Sequence, residues 1–123
     1  MLLFFRRKQT MAYDEQLTMR FREALPSDRV FTEKKMMGAA CFMLDGNMIG
    51  GADRTKSGEG RFLFRIGKDN SAKAEALPGA EAMKMGRKRM SGFYCIDEAI
   101  ADKKTLAKWM RLALDLVSSL PAK

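Results

Sequence analysis

The sequence predicts an α+β fold in the order helix, three strands, helix, two strands, helix, with a mainly antiparallel sheet and the helices packed on it. Three observations predict it. Apolar residues recur at helical spacing near both ends of the chain. Between them they alternate at strand spacing. The strand-like runs are joined by turns too short for a parallel crossover.

The first helix is expected over Asp14 to Leu25. Leu17, Phe21, Ala24 and Leu25 share one face there, Arg20, Arg22 and Glu23 fall on others, and Pro26 stops the helix. Cys41 to Leu44, then Asp45-Gly46-Asn47, then Met48-Ile49 read as a strand, a tight turn and a returning strand, because Asp-Gly supplies the positive φ angles of a two-residue hairpin. Gly50, Gly51, Gly58 and Gly60 flank a polar loop from Asp53 to Glu59, expected to be the most mobile internal segment. Along Arg61 to Ile66, Phe62, Phe64 and Ile66 share one face and Arg61 and Arg65 the other; Leu63 marks that second face as partly covered. Gly67 to Gly79 holds a short helix with Ala72, Ala76 and Leu77, capped by Asp69. Glu81 to Met85 and Met90 to Ile96 form a second strand pair around Gly86-Arg-Lys-Arg89. Leu106, Trp109, Met110, Ala113, Leu116, Val117 and Leu120 then define an amphipathic helix stopped by Pro121.

A length of 123 residues suits one domain, expected over residues 11–123, with residues 1–10 as a disordered extension. Leu2 to Phe5 precede Arg6-Arg7-Lys8, the reverse of a secretory signal, and no run approaches the ~20 apolar residues of a membrane span. The expected compartment is the cytoplasm. Cys41 and Cys95 then read as reduced core thiols, with a redox pair as the alternative.

The chain has no His, which excludes Ser-His-Asp and Cys-His catalysis and every His-containing zinc site; two Cys do not suffice for a Cys-only site. Asp45, Asp53, Asp69 and Asp97 sit at turns or element ends, where they bend the chain or cap helices rather than pair for acid–base work. Ser57 and Ser91 have no His to activate them, and the glycines match no phosphate loop. The chain is expected not to be an enzyme and to hold no cofactor or metal. Of its 11 Met, those near strands, such as Met83 and Met85, suit a core better than a Met-rich binding surface.

The net charge is +8, but Arg6, Arg7 and Lys8 supply three of it, leaving 20 basic against 15 acidic residues from Met11 onward. The concentrated charge is Lys84, Arg87, Lys88 and Arg89 at a hairpin tip. It either binds an anion or blunts a sheet edge against aggregation. With Lys34 and Lys35, these are the candidate partner- or anion-binding residues.

Several stretches together resemble the TfoX N-terminal domain family, named for a bacterial regulator of DNA-uptake competence. They are the start Met11-Ala-Tyr-Asp-Glu15, Glu33-Lys-Lys-Met-Met-Gly-Ala39, Leu44-Asp-Gly-Asn-Met48 and Phe64-Arg-Ile-Gly67. Gly86-Arg87 with Met90-Ser-Gly-Phe93, then Leu106-Ala-Lys-Trp109 and Ser119-Leu-Pro121, complete the set. The family commonly has Phe where Met37 stands, a second Gly where Ala39 stands, and Pro after the Gly-Arg pair. Here Lys88-Arg89 replaces that Pro and lengthens the hairpin tip. The resemblance implies an α+β fold and brings no catalytic residues. Full-length competence regulators carry a further C-terminal helical domain that these residues do not include. The expectation is therefore a small cytoplasmic regulatory or protein-interaction module with an unknown protein partner, a homodimer being admitted, and no membrane association. A link to transcriptional regulation of competence is the furthest that the resemblance reaches. The alternative is weak, sequence-tolerant nucleic-acid binding through the hairpin Lys84 to Arg89.

Overall fold

Asp14 accepts a hydrogen bond from the Leu17 N–H at 3.1 Å and so starts α1, Glu15–Ala24; Leu25 takes the extended conformation that a following proline requires. The computed structural model describes residues 14–36, 39–55, 57–85 and 87–123; the extension expected over residues 1–10 lies outside the described residues. Six strands follow: β1 Thr32–Met36, β2 Ala39–Leu44, β3 Asn47–Arg54, β4 Gly60–Arg65, β5 Glu81–Met85 and β6 Lys88–Asp97. Between β4 and β5 a 3-10 turn, Lys68–Asn70, runs into α2, Ser71–Glu75; α3, Lys103–Ser118, closes the order and is capped by Asp102. The sheet order is β1-β2-β3-β4-β6-β5, and every neighbouring pair is antiparallel.

The α+β class, the antiparallel sheet and the helix order agree with expectation, but four strands rather than three separate α1 from α2. The additional strand is β1, Thr-Glu-Lys-Lys-Met, an edge strand of charged and polar residues with no apolar alternation, whose Glu33 pairs with Arg22 of α1 at 2.8 Å. The expected loop is also shorter than Asp53 to Glu59, since β3 continues to Arg54. Gly50 and Gly51 lie inside β3, where an added Cβ would meet the Leu63 and Ala40 carbonyl oxygens of the two flanking strands. Asp69 does not cap the middle helix. The chain enters the turn through Gly67 at φ 81°, and the Asn70 amide donates to the Ile66 carbonyl instead.

Both long helices pack on one face of the sheet. Phe42 of β2 stacks on Phe21 of α1 at 4.9 Å, Phe21 on Phe64 of β4 at 5.3 Å, and Phe64 on Trp109 of α3 at 5.8 Å. Tyr94 of β6 continues the series against Trp109. This run of rings ties three strands to two helices, and its members are all buried. The segment after α3 returns to the β2–β3 hairpin: the buried Asn47 side chain donates to the Pro121 carbonyl at 3.0 Å, and the Lys123 N–H donates to Asp45 at 2.9 Å. Asp45 and Gly46, at φ 54° and 82°, form the tight turn expected of Asp-Gly.

Candidate functional site

Strand alternation sends every second side chain to the face of the sheet away from α1 and α3. On that open face lies a second apolar cluster, with Ala39, Cys41, Leu63 and Cys95 buried at its floor and Met43, Met48 and Met83 half-buried around it. The strand register arranges its middle as one row across all six strands: Lys34, Cys41, Gly51, Leu63, Cys95 and Glu81. A neighbouring row carries Asp53, Arg61 and Asp97. Arg61 forms a two-pronged pair with Asp53, at 2.8 and 3.2 Å, beside the apolar floor. The expectation that Leu63 marks a partly covered second face is met in its burial.

Both cysteines are free and buried here, as core thiols. Three strand spacings separate them, about 14 Å, well beyond the ~7 Å limit for a disulfide, so the redox-pair alternative fails on geometry. Burial pushes both thiols up; nearby Asp53 adds to the effect at Cys41, and Arg61 opposes it at Cys95.

The six basic candidates are not brought together. Lys34 lies in the open-face row and Lys35 in the row of Ala40 on the helix side, both on edge strand β1. Lys84, Arg87, Lys88 and Arg89 stand at the opposite edge, about 24 Å away by strand count. Lys84, Arg87 and Lys88 are exposed at the hairpin tip. Arg89 turns back instead: its guanidinium donates to Glu75 at 3.1 Å and to the Tyr94 hydroxyl at 3.0 Å, and Tyr94 donates to Glu75 at 2.8 Å. The Tyr94 and Arg89 bonds hold the Glu75 carboxyl below its ordinary range. Three cations, not four, therefore project from that tip.

Two arrangements were not legible in the sequence. Arg54 bonds Asp14 at 2.9 Å, Glu98 at 3.1 Å and the Gly58 carbonyl at 2.6 Å, joining the start of α1 to the ends of β3 and β6. Arg20 packs over the Phe62 ring at 4.9 Å and donates to the Ala101 carbonyl, although the helix pattern puts it off the apolar face. Between α1 and α3 runs an open groove of about 520 Å³, lined by Ala24, Pro26, Met110 and Leu114 with Arg29 and Arg111 at its margin. Among the described residues, no three Cys, Asp or Glu converge as a metal-holding group.

Residues 11–116 match the family model of the TfoX N-terminal domain. The chain belongs to that family. Comparison with curated proteins and with solved structures gives no match. The match to this TfoX N-terminal domain begins at Met11 and ends inside α3, so it takes in the whole sheet and both candidate surfaces, the open face and the β5–β6 tip. Of the family-like stretches, Leu44 to Met48 forms the β2–β3 turn, and Phe64 to Gly67 leads from β4 into the 3-10 turn. Gly92 at φ 80° lies against Gly67, and its carbonyl accepts from the Ile66 and Gly67 N–H groups; a Cβ there would press on the Gly67 backbone. In this TfoX N-terminal domain, no helix among the described residues is long and apolar enough to cross a membrane.

Proposed function

We propose that this TfoX N-terminal domain is a non-enzymatic, cytoplasmic regulatory module that works by binding a protein partner through the open face of its sheet. One observation carries the reading: no described helix packs on that face, and it presents half-buried Met43, Met48 and Met83 above an apolar floor, with charges at the perimeter. An apolar centre rimmed by charged groups is the anatomy of a protein-binding surface, and methionine side chains adapt to a partner's shape. The family's link to competence regulation supports a partner in transcriptional control.

The test is affinity capture from the native cytoplasm with and without nuclease, using the wild-type chain and Met48→Lys. Partners retained after nuclease and lost in the variant support the reading. Partners that survive Met48→Lys remove the open face from it. Loss of every partner after nuclease favours the second reading, weak nucleic-acid binding at the exposed tip cations Lys84, Arg87 and Lys88.

A further inference from the structure

The open face complements itself. Its central row runs from a cation at one edge, Lys34, to an anion at the other, Glu81, with Cys41, Gly51, Leu63 and Cys95 between. A twofold axis lying in the plane of this face, parallel to the strands and between β3 and β4, reverses that row. It lays Lys34 on the second copy's Glu81, Cys41 on its Cys95, and the bare backbone of Gly51 under its Leu63. The same axis sets Asp53 over the second copy's Arg61, so the opposite-charge pairing holds in two rows at once. A twofold across the strands instead stacks Lys34 on Lys34 and Glu81 on Glu81, which like-charge repulsion disfavours.

Charge and size agree with this arrangement. The middle rows of the open face carry Lys34, Arg61 and Arg65 against Asp53, Glu81 and Asp97, a local balance in a chain of net charge +8, and Lys88 adds one cation only at the β5–β6 tip, so the centres of two copies meet without net repulsion. Six strands by about five residues give a projected footprint of roughly 500 Å² per copy, which side-chain corrugation raises toward the ~800 Å² per partner of a standard stable interface. Two antiparallel sheets stacked about 10 Å apart form an ordinary aligned sandwich.

We infer that the chain forms a homodimer by stacking the open faces of two sheets about a twofold axis parallel to the strands and between β3 and β4. The inference rests on the open face being a protein-binding surface and names the protein as a second copy.

Sedimentation analysis of the full chain tests it, with Lys34→Glu, Glu81→Lys and their equimolar mixture. Both residues are exposed on edge strands, and far-UV circular dichroism checks that each variant is folded. The wild type should dimerise. Each single variant opposes like charges at two symmetry-related points and should weaken dimerisation about tenfold or more. In the mixture, the carboxylate introduced by Lys34→Glu meets the ammonium introduced by Glu81→Lys, and the two unaltered residues, Lys34 and Glu81, meet at the other point. A one-to-one heterodimer of near wild-type affinity should return. A dimer indifferent to both substitutions, or a mixture that restores nothing, overturns the arrangement. A monomeric wild type also overturns it; capture that is still lost in Met48→Lys then assigns the face to a different protein and leaves the module reading standing. A monomer whose capture survives Met48→Lys removes both.

Discussion

Cys41 and Cys95 stand in the same cross-strand row on the same face of the sheet, yet Gly51 and Leu63 separate them. The two thiols share an environment without being able to join. Freshly purified protein denatured without reductant should therefore release two titratable thiols per chain, and the native protein should react far more slowly. A native chain with no releasable thiol would contradict this placement.

The same burial makes stability depend on alkaline pH. A thiol held protonated by the fold binds more protons than its unfolded counterpart once the pH passes about 8.5, so stability falls as the pH rises above that point. The denaturant midpoint should decline between about pH 8.5 and pH 10 in the wild type and decline less in C41A/C95A. Equal declines would mean that other groups dominate.

Asp14 should be the more consequential carboxylate at acid pH. Burial raises its pKa, but the Leu17 N–H and Arg54 more than offset this and leave it lowered. A lowered carboxyl contributes stability above its unfolded pKa, and that contribution is lost as the pH falls through the folded value. Asp14→Ala removes a helix cap as well as Arg54's partner and should cost about 1–2 kcal/mol in chemical denaturation. Asp14→Asn keeps a capping oxygen and should recover much of that loss while flattening the acid limb.

Gly50 and Gly51 are where a methyl group should do the most harm for its size. A Cβ at either would lie far inside van der Waals contact of a neighbouring strand's carbonyl oxygen, at 2.0 and 1.9 Å. Gly51→Ala should therefore destabilise by roughly 1–3 kcal/mol, as overpacking does, whereas Gly58→Ala faces open space and is limited by its φ of 91° alone. Near-equal midpoints for the two variants would refute the close approach.

At the β5–β6 tip, the salt dependence of nucleic-acid binding separates the two accounts of its charge. Three projecting cations give a log–log slope no steeper than about 3 on duplex DNA, and K84A/R87A/K88A should abolish it. If the tip only guards an edge, that variant binds as the parent does but aggregates sooner. Arg89→Ala should act instead on stability, because it removes the guanidinium that bonds both Glu75 and Tyr94 and leaves only their mutual hydrogen bond.

Wherever apolar residues keep a regular period, the architecture was readable. The Leu17–Phe21 and Leu106–Val117 stripes, the Phe62–Phe64 alternation and the Asp45-Gly46 turn all lie where local chemistry puts them. β1 was not readable, because pairing to β2 rather than its own side chains makes Thr32 to Met36 a strand. The candidate surface was readable only in part. Leu63 among arginines hinted at a second buried face, but the row from Lys34 to Glu81 exists only once residues 47 apart in sequence are set edge to edge by the strand order. The tip cations were readable as a cluster, and Arg89's departure was not, since Glu75 comes to it from another element.

The return of Pro121 and Lys123 to the β2–β3 hairpin has a consequence for the order in which the fold is completed during synthesis. Asp45 and Asn47 are synthesised well before Pro121 and Lys123, so on the ribosome the β2–β3 turn emerges with the buried Asn47 amide lacking its acceptor. Those two hydrogen bonds form only after Pro121 and Lys123 have been added and have cleared the exit tunnel, a delay of seconds at ordinary synthesis rates of ~5–20 residues per second. Until then the nascent protein carries an unfinished corner, and a pause in synthesis between Asn47 and Pro121 leaves that corner open to whatever waits beside the ribosome.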